Sequence, residues 1–166
     1  MDVRITVALM VLTAAASWTD LRRMRIPNVL TSGFAAGGFL YHAVSDGWAG
    51  ALHAAGGGAA GFLPLLLLHR FGGMGAGDVK WFGAYGIWAG AAATVQLVVT
   101  SILLAGGISV FLLLLRLRMI RRWGRRLPWP WGRHPAESGK GAAFPFMLAV
   151  APSVIALLSG AGVIAF

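Results

Sequence analysis

The stretch WFGAYGIWAGAAATVQLVVTSILLAGGISVFLLLL, residues 81–115, contains no charged residue. As one straight helix it would run about 50 Å at 1.5 Å per residue, against a bilayer hydrocarbon core of about 30 Å. It therefore reads as two helices, 78–91 and 92–115, broken near Gly90. Working outward, three more apolar stretches precede it at 3–19, 28–45 and 48–68, and one follows at 142–165. Their apolar residues come in runs and show neither the period of a half-buried strand nor that of a surface helix, so most segments have no face meant for water. Lipid allows such segments to be helices, which satisfy their own backbone polar groups. The expected fold is an all-α integral membrane protein of about six transmembrane helices, forming a single domain over 1–166.

Composition agrees. Of the 166 residues 58% are hydrophobic and 11% charged, where a soluble domain carries about 25% charged residues. The mean hydropathy is +0.76. The formal charge of +9 would raise the question of nucleic acid in a soluble protein. Here the charge is confined to the gaps between apolar runs, which points to anionic lipid headgroups as the partner and away from nucleic acid.

Six crossings place all but Arg4 of the 14 basic residues on one side. By the positive-inside rule that side is cytosolic, with both termini outside. One long helix over 81–115 would put Lys80 and Arg116 on opposite sides and destroy this asymmetry. A secretory signal is the competing reading of residues 3–19, given Arg4, the apolar run and Ala14–Ala16. The basic cluster and second apolar segment that follow at once favour a retained helix. The basic loop 116–141, with Trp123, Trp129 and Trp131 among arginines, suits the headgroup region as a connector or a docking surface.

The chain has no cysteine, which removes disulfides, thiolate catalysis and Cys-ligated zinc. His42, His53, His69 and His134 show no metal-ligand spacing; His42 and His53 flank Asp46 as a weak cluster at most. No metal and no cofactor are expected.

There are five acidic residues, Asp2, Asp20, Asp46, Asp78 and Glu137. Topology puts Asp2 and Asp46 on the outer side. Asp20 and Asp78 fall at the cytosolic ends of the first and fourth helices, two carboxylates on one side and at one depth. Held close, such a pair cannot easily ionise twice and shares a proton. One member can then deprotonate water while the other hydrogen-bonds a peptide carbonyl. Structural readings compete: Asp20 pairing with Arg22, Arg23 or Arg25, and Asp78 capping its helix or pairing with Lys80. The glycines of GGMGAGD, residues 72–78, favour chemistry, because Gly75 and Gly77 allow a substrate backbone to approach closely.

Gly75-Ala76-Gly77-Asp78 followed by Lys80 resembles the GxGDxK motif of the type IV prepilin peptidases, within the GxGD membrane aspartic peptidases. Asp20 ahead of Ile26-Pro27-Asn28 is similar to that family's first aspartate site. Gly141-Ala142-Ala143-Phe144-Pro145-Phe146 resembles its small-residue, Pro-aromatic segment. The resemblance implies an aspartic endopeptidase of the bacterial inner membrane that removes the short basic leader from type IV prepilins or pseudopilins at the cytosolic face. It implies Asp20 and Asp78 as the catalytic pair and leaves Pro27, Asn28, Lys80 and Pro145 as motif residues, with Lys80 a candidate for substrate binding. Larger members carry a cysteine-rich zinc-binding insertion and N-methylate the product. This chain resembles the short, peptidase-only form of tight-adherence (Flp-type) pili, so methyltransferase activity is not expected. The alternative is a non-catalytic polytopic subunit, binding a partner or conducting ions, that uses the same aspartates structurally.

Overall fold

The structure, a computed structural model, describes residues 2–115, 129–131 and 144–160. Of the loop expected over 116–141 only Trp129–Trp131 lie within the described residues, and Gly141–Ala143 and 161–166 also lie outside them. The described residues form five helices and no strand. They are α1 (Val3–Arg23), α2 (Asn28–Arg70), α3 (Ala76–Ala89), α4 (Ala91–Leu114) and α5 (Met147–Leu158). Of these, α1, α2 and α4 are long and apolar enough to cross a membrane.

At 43 residues, α2 would measure about 65 Å if straight. It is not straight. Gly47 has φ 60° and ψ −140°, outside the helical region, and there the element folds into two arms. Both arms lie on α3 and run opposite ways along it. On the first, Asn28 bonds Lys80, and Phe34 and Gly38 meet Trp88. On the second, His53 lies at Gly90, Gly57 at Gly86 and Gly61 at Phe82. The stretches expected at 28–45 and 48–68 thus correspond to one element with a glycine hinge. The long apolar run breaks at Gly90, whose φ of 82° lets α3 end and α4 begin without an intervening loop.

Close packing explains which small residues matter. A Cβ on Gly57 or Gly86 would overlap the other's carbonyl oxygen, so this seam brings backbone against backbone. Gly61 meets the Phe82 carbonyl in the same way. Gly33, which shares their four-residue spacing with Gly37, has nothing near it.

Helix α3 is the buried centre, with Val79 and every residue from Trp81 to Gly86 inside the bundle. Trp81 makes an edge contact with Phe82 and stacks on Tyr85. Leu9, Leu12 and Ala16 of α1, Leu97 of α4, and Met147 and Val150 of α5 close around this aromatic cluster. The outward faces are apolar too: Val29, Val44, Trp48 and Phe71 are 78–83% exposed. In a membrane this surface faces acyl chains.

The contacts sort the charged groups by end. Asp2 caps α1, accepting from the Arg4 N–H and from the Tyr41 hydroxyl (2.7 Å), and these bonds, the tyrosine's first, hold its carboxyl below the usual range. That end also holds His42, His53 and Gly90. The opposite end carries Asp20, the Arg22–Arg25 turn, Asn28, Asp78 and Lys80.

Candidate active site

Two helix ends build the site. Helix α1 runs past the expected residue 19 and stops where Met24 adopts a left-handed conformation (φ 50°), its N–H bonding the Asp20 carbonyl at 2.8 Å. Asp20 thereby sits in the last turn, only 6% exposed. The chain then turns through Ile26 and Pro27 into α2.

Helix α3 begins at Ala76 with Gly75 as its N-cap, which makes Asp78 the third residue of the first turn. From there the carboxylate folds back toward the Gly75 N–H, a position from which an acidic side chain satisfies an open helix donor. Gly75 leaves room for that carboxylate. A Cβ there would lie 2.9 Å from Asp78 Oδ2. Gly77 faces Ile26, where a Cβ would be in ordinary contact at 3.4 Å, so it seats the glycine segment against the turn that follows Asp20.

Asp20 and Asp78 line one cavity of about 430 Å³, together with the Met24–Asn28 turn, Gly75–Gly77 and Lys80. They are close enough to interact electrostatically. Among the described residues neither forms an ion pair. Arg22 instead lies over the Trp18 ring, 4.0 Å from its centroid. Lys80 Nζ donates to Asn28 Oδ1 at 2.9 Å, a bond that ties the two motif segments across the mouth of the cavity. The sequence readings that had these cations neutralise the aspartates do not describe this geometry. The capping reading of Asp78 does describe its backbone contact.

Three contributors come from outside the two aspartate motifs. The Met147 N–H, at the start of α5, donates to Asp20 Oδ2 at 3.1 Å in a buried setting. The positive end of a helix dipole therefore points at this carboxylate. Pro145 and Phe146 set that helix start, with Phe146 packed on Phe82. His69 Nδ1 donates to the Met74 carbonyl at 2.7 Å and so anchors the glycine loop immediately before Gly75. Trp131 reaches back to the same end of the bundle, its indole N–H bonding the Leu21 carbonyl at 3.0 Å, one of the carbonyls left open where α1 ends.

Among the described residues no three metal-ligating side chains converge. His42 and His53 do approach, with ring centroids 5.8 Å apart, but His42 is engaged with the Trp88 carbonyl.

Asp20, buried, and Asp78, half-buried, line one cavity flanked by exposed main chain, with no ion pair to a cation among the described residues. Such a carboxylate pair can share a proton and activate water. Residues 7–110 match the model of the type IV leader peptidase family. That span includes both aspartates, the Ile26–Asn28 turn and the glycine loop. No curated protein and no solved structure matches the chain.

Proposed function

Because the chain belongs to the type IV leader peptidase family, we propose that it is a membrane aspartic endopeptidase that cuts the short basic leader from a prepilin or pseudopilin at the cytosolic face. The observation that carries the reading is the joint cavity of Asp20 and Asp78, reached from two elements far apart in sequence and unpaired with any described cation.

The chemistry follows from that pair. With one proton between them, the ionised carboxylate takes a proton from water as its oxygen attacks the scissile carbonyl carbon. The protonated partner hydrogen-bonds the carbonyl oxygen and stabilises the charge that develops there. Collapse of the tetrahedral intermediate breaks the C–N bond, and the departing amine takes up a proton from the dyad. The pair titrates as a unit, so neither residue is assigned one role. The Met147 N–H favours a charged oxygen on Asp20 without contributing a proton of its own. Gly75 and Gly77 leave room for an extended substrate backbone, and Lys80 stands where it can donate to one.

In this reading the chain crosses the inner membrane six times, the two arms of α2 counting as two, with the aspartate end in the cytosol. The product leaves with an unmethylated terminus. Membranes carrying the protein should convert a candidate prepilin to a shorter form with a single new N-terminus at the leader junction, read by gel shift, sequencing and mass. Several candidate prepilins left intact by well-expressed protein would contradict the proposal.

A further inference from the structure

A second cavity, about 560 Å³, lies on the opposite face of α3, between the two arms of α2. Its floor is small: Gly58, Gly83 and Ala84 are all buried. The sides are Phe62 and Ile87, and the mouth is Asn28 with Lys80. From Lys80 to Ile87 it follows α3 for about 10 Å, two turns of a helix. The same Asn28 and Lys80 also line the carboxylate cavity. The two spaces therefore meet at the Lys80–Asn28 hydrogen bond, with the first turn of α3 between them.

We infer that this groove holds the apolar segment of the substrate, which continues past Lys80 as extended chain over Gly75–Gly77 to Asp20 and Asp78. The inference rests on the peptidase reading above. A leader peptide joined to an apolar segment has one part for the polar cavity and one for lipid, and these two joined cavities match that division. The space at Gly58 and Gly83 is filled by Ile87 and Phe62, but the exposed small residues along the groove, Ser32, Ala55 and Ala59, let a second helix backbone come close. At the crossing, the Lys80 ammonium spends one of its three N–H groups on Asn28 and keeps two for carbonyl oxygens of the substrate. An acyl chain would use the apolar groove and leave the polar junction unused.

The chain has no cysteine, so single thiols report position cleanly. Ala59 lines the groove and is exposed, while Val110 of α4 is exposed on another face. In membranes containing a prepilin with one cysteine in its apolar segment, a short bis-maleimide should link Ala59→Cys to the substrate and leave Val110→Cys unlinked. Filling the groove with Ser32→Trp or Ala59→Trp should slow cleavage of that prepilin by at least about tenfold. A soluble peptide containing only the leader and the cut site should be cleaved at the wild-type rate by both variants. Equal linking at Val110, or unchanged cleavage of the embedded prepilin by both tryptophan variants, overturns the groove and leaves lipid as its occupant. If the wild type cleaves neither substrate while Ala59→Cys still links selectively, the peptidase reading falls and the groove stands. Neither cleavage nor linking removes both.

Discussion

Gly75 and Gly77 sit two residues apart in one motif, yet their surroundings differ. Gly75 has the Asp78 carboxylate 2.9 Å from where a Cβ would be; Gly77 has only ordinary contact with Ile26 at 3.4 Å. Gly75→Ala must therefore push the carboxylate from its place, and an ångström of displacement costs up to about a hundredfold in rate. We expect a ten- to hundredfold loss, in rough terms, for Gly75→Ala at unchanged protein level, and about threefold or less for Gly77→Ala, measured as initial rates of leader release. Lys80 and Asn28 are expected to be coupled through their hydrogen bond. Alanine at either should weaken turnover, and a double-mutant cycle should give about 0.5–1 kcal/mol of interaction. Additive effects would mean the bond is incidental. The aspartates and glycines were legible in the sequence because a motif and the charge asymmetry both mark them. Their partners were not. The Met147 N–H reaches Asp20 across 127 positions and Lys80 reaches Asn28 across 52, and a backbone N–H has no residue signature at all.

Among the elements, the hairpin of α2 and its seam with α3 position the site, because Asn28 and Lys80 meet only if the first arm lies along α3. Gly47 makes the hairpin with a backbone conformation that residues with a side chain rarely adopt. Gly47→Ala should cost about 1–3 kcal/mol, seen as a lower unfolding temperature in detergent. At the seam, Gly86→Ala places a methyl group against the Gly57 carbonyl and should lower folded yield more than Gly33→Ala, which meets open space. Sequence spacing marks Gly33 and Gly37, Gly57 and Gly61, and Gly86 and Gly90 alike. Only the fold separates those that touch backbone from those that do not, because a four-residue interval places two residues on one face without saying what that face meets. The break at Gly90 was readable, since helix length against bilayer thickness required one. The extension of α1 to Arg23 was not, because it ends at Met24 in a left-handed cap usually filled by glycine.

At the scale of the whole molecule, charge and fold agree. The described residues put Arg22, Arg23, Arg25 and Lys80 at the end that holds both aspartates, and Arg4 at the other. If that basic end is cytosolic, a membrane-impermeant maleimide added to intact cells should label Asp46→Cys and spare Arg23→Cys, with the pattern reversed in inverted vesicles. Labelling of Arg23→Cys from outside would invert the topology and remove the site from the cytosol. All-helical membrane class was legible from composition and run length alone. The arrangement of helices around a buried α3 was not, since α3 is as apolar as its lipid-facing neighbours and nothing in its pattern announces that it lies inside.

The most direct test is leader cleavage by membranes carrying the wild type, Asp20→Asn or Asp78→Asn at matched expression. If the two carboxylates share the chemistry, the wild type cleaves and each single variant falls to background, with both variants still folded. Continued cleavage by either variant would contradict the shared dyad and leave Asp20 and Asp78 as structural carboxylates.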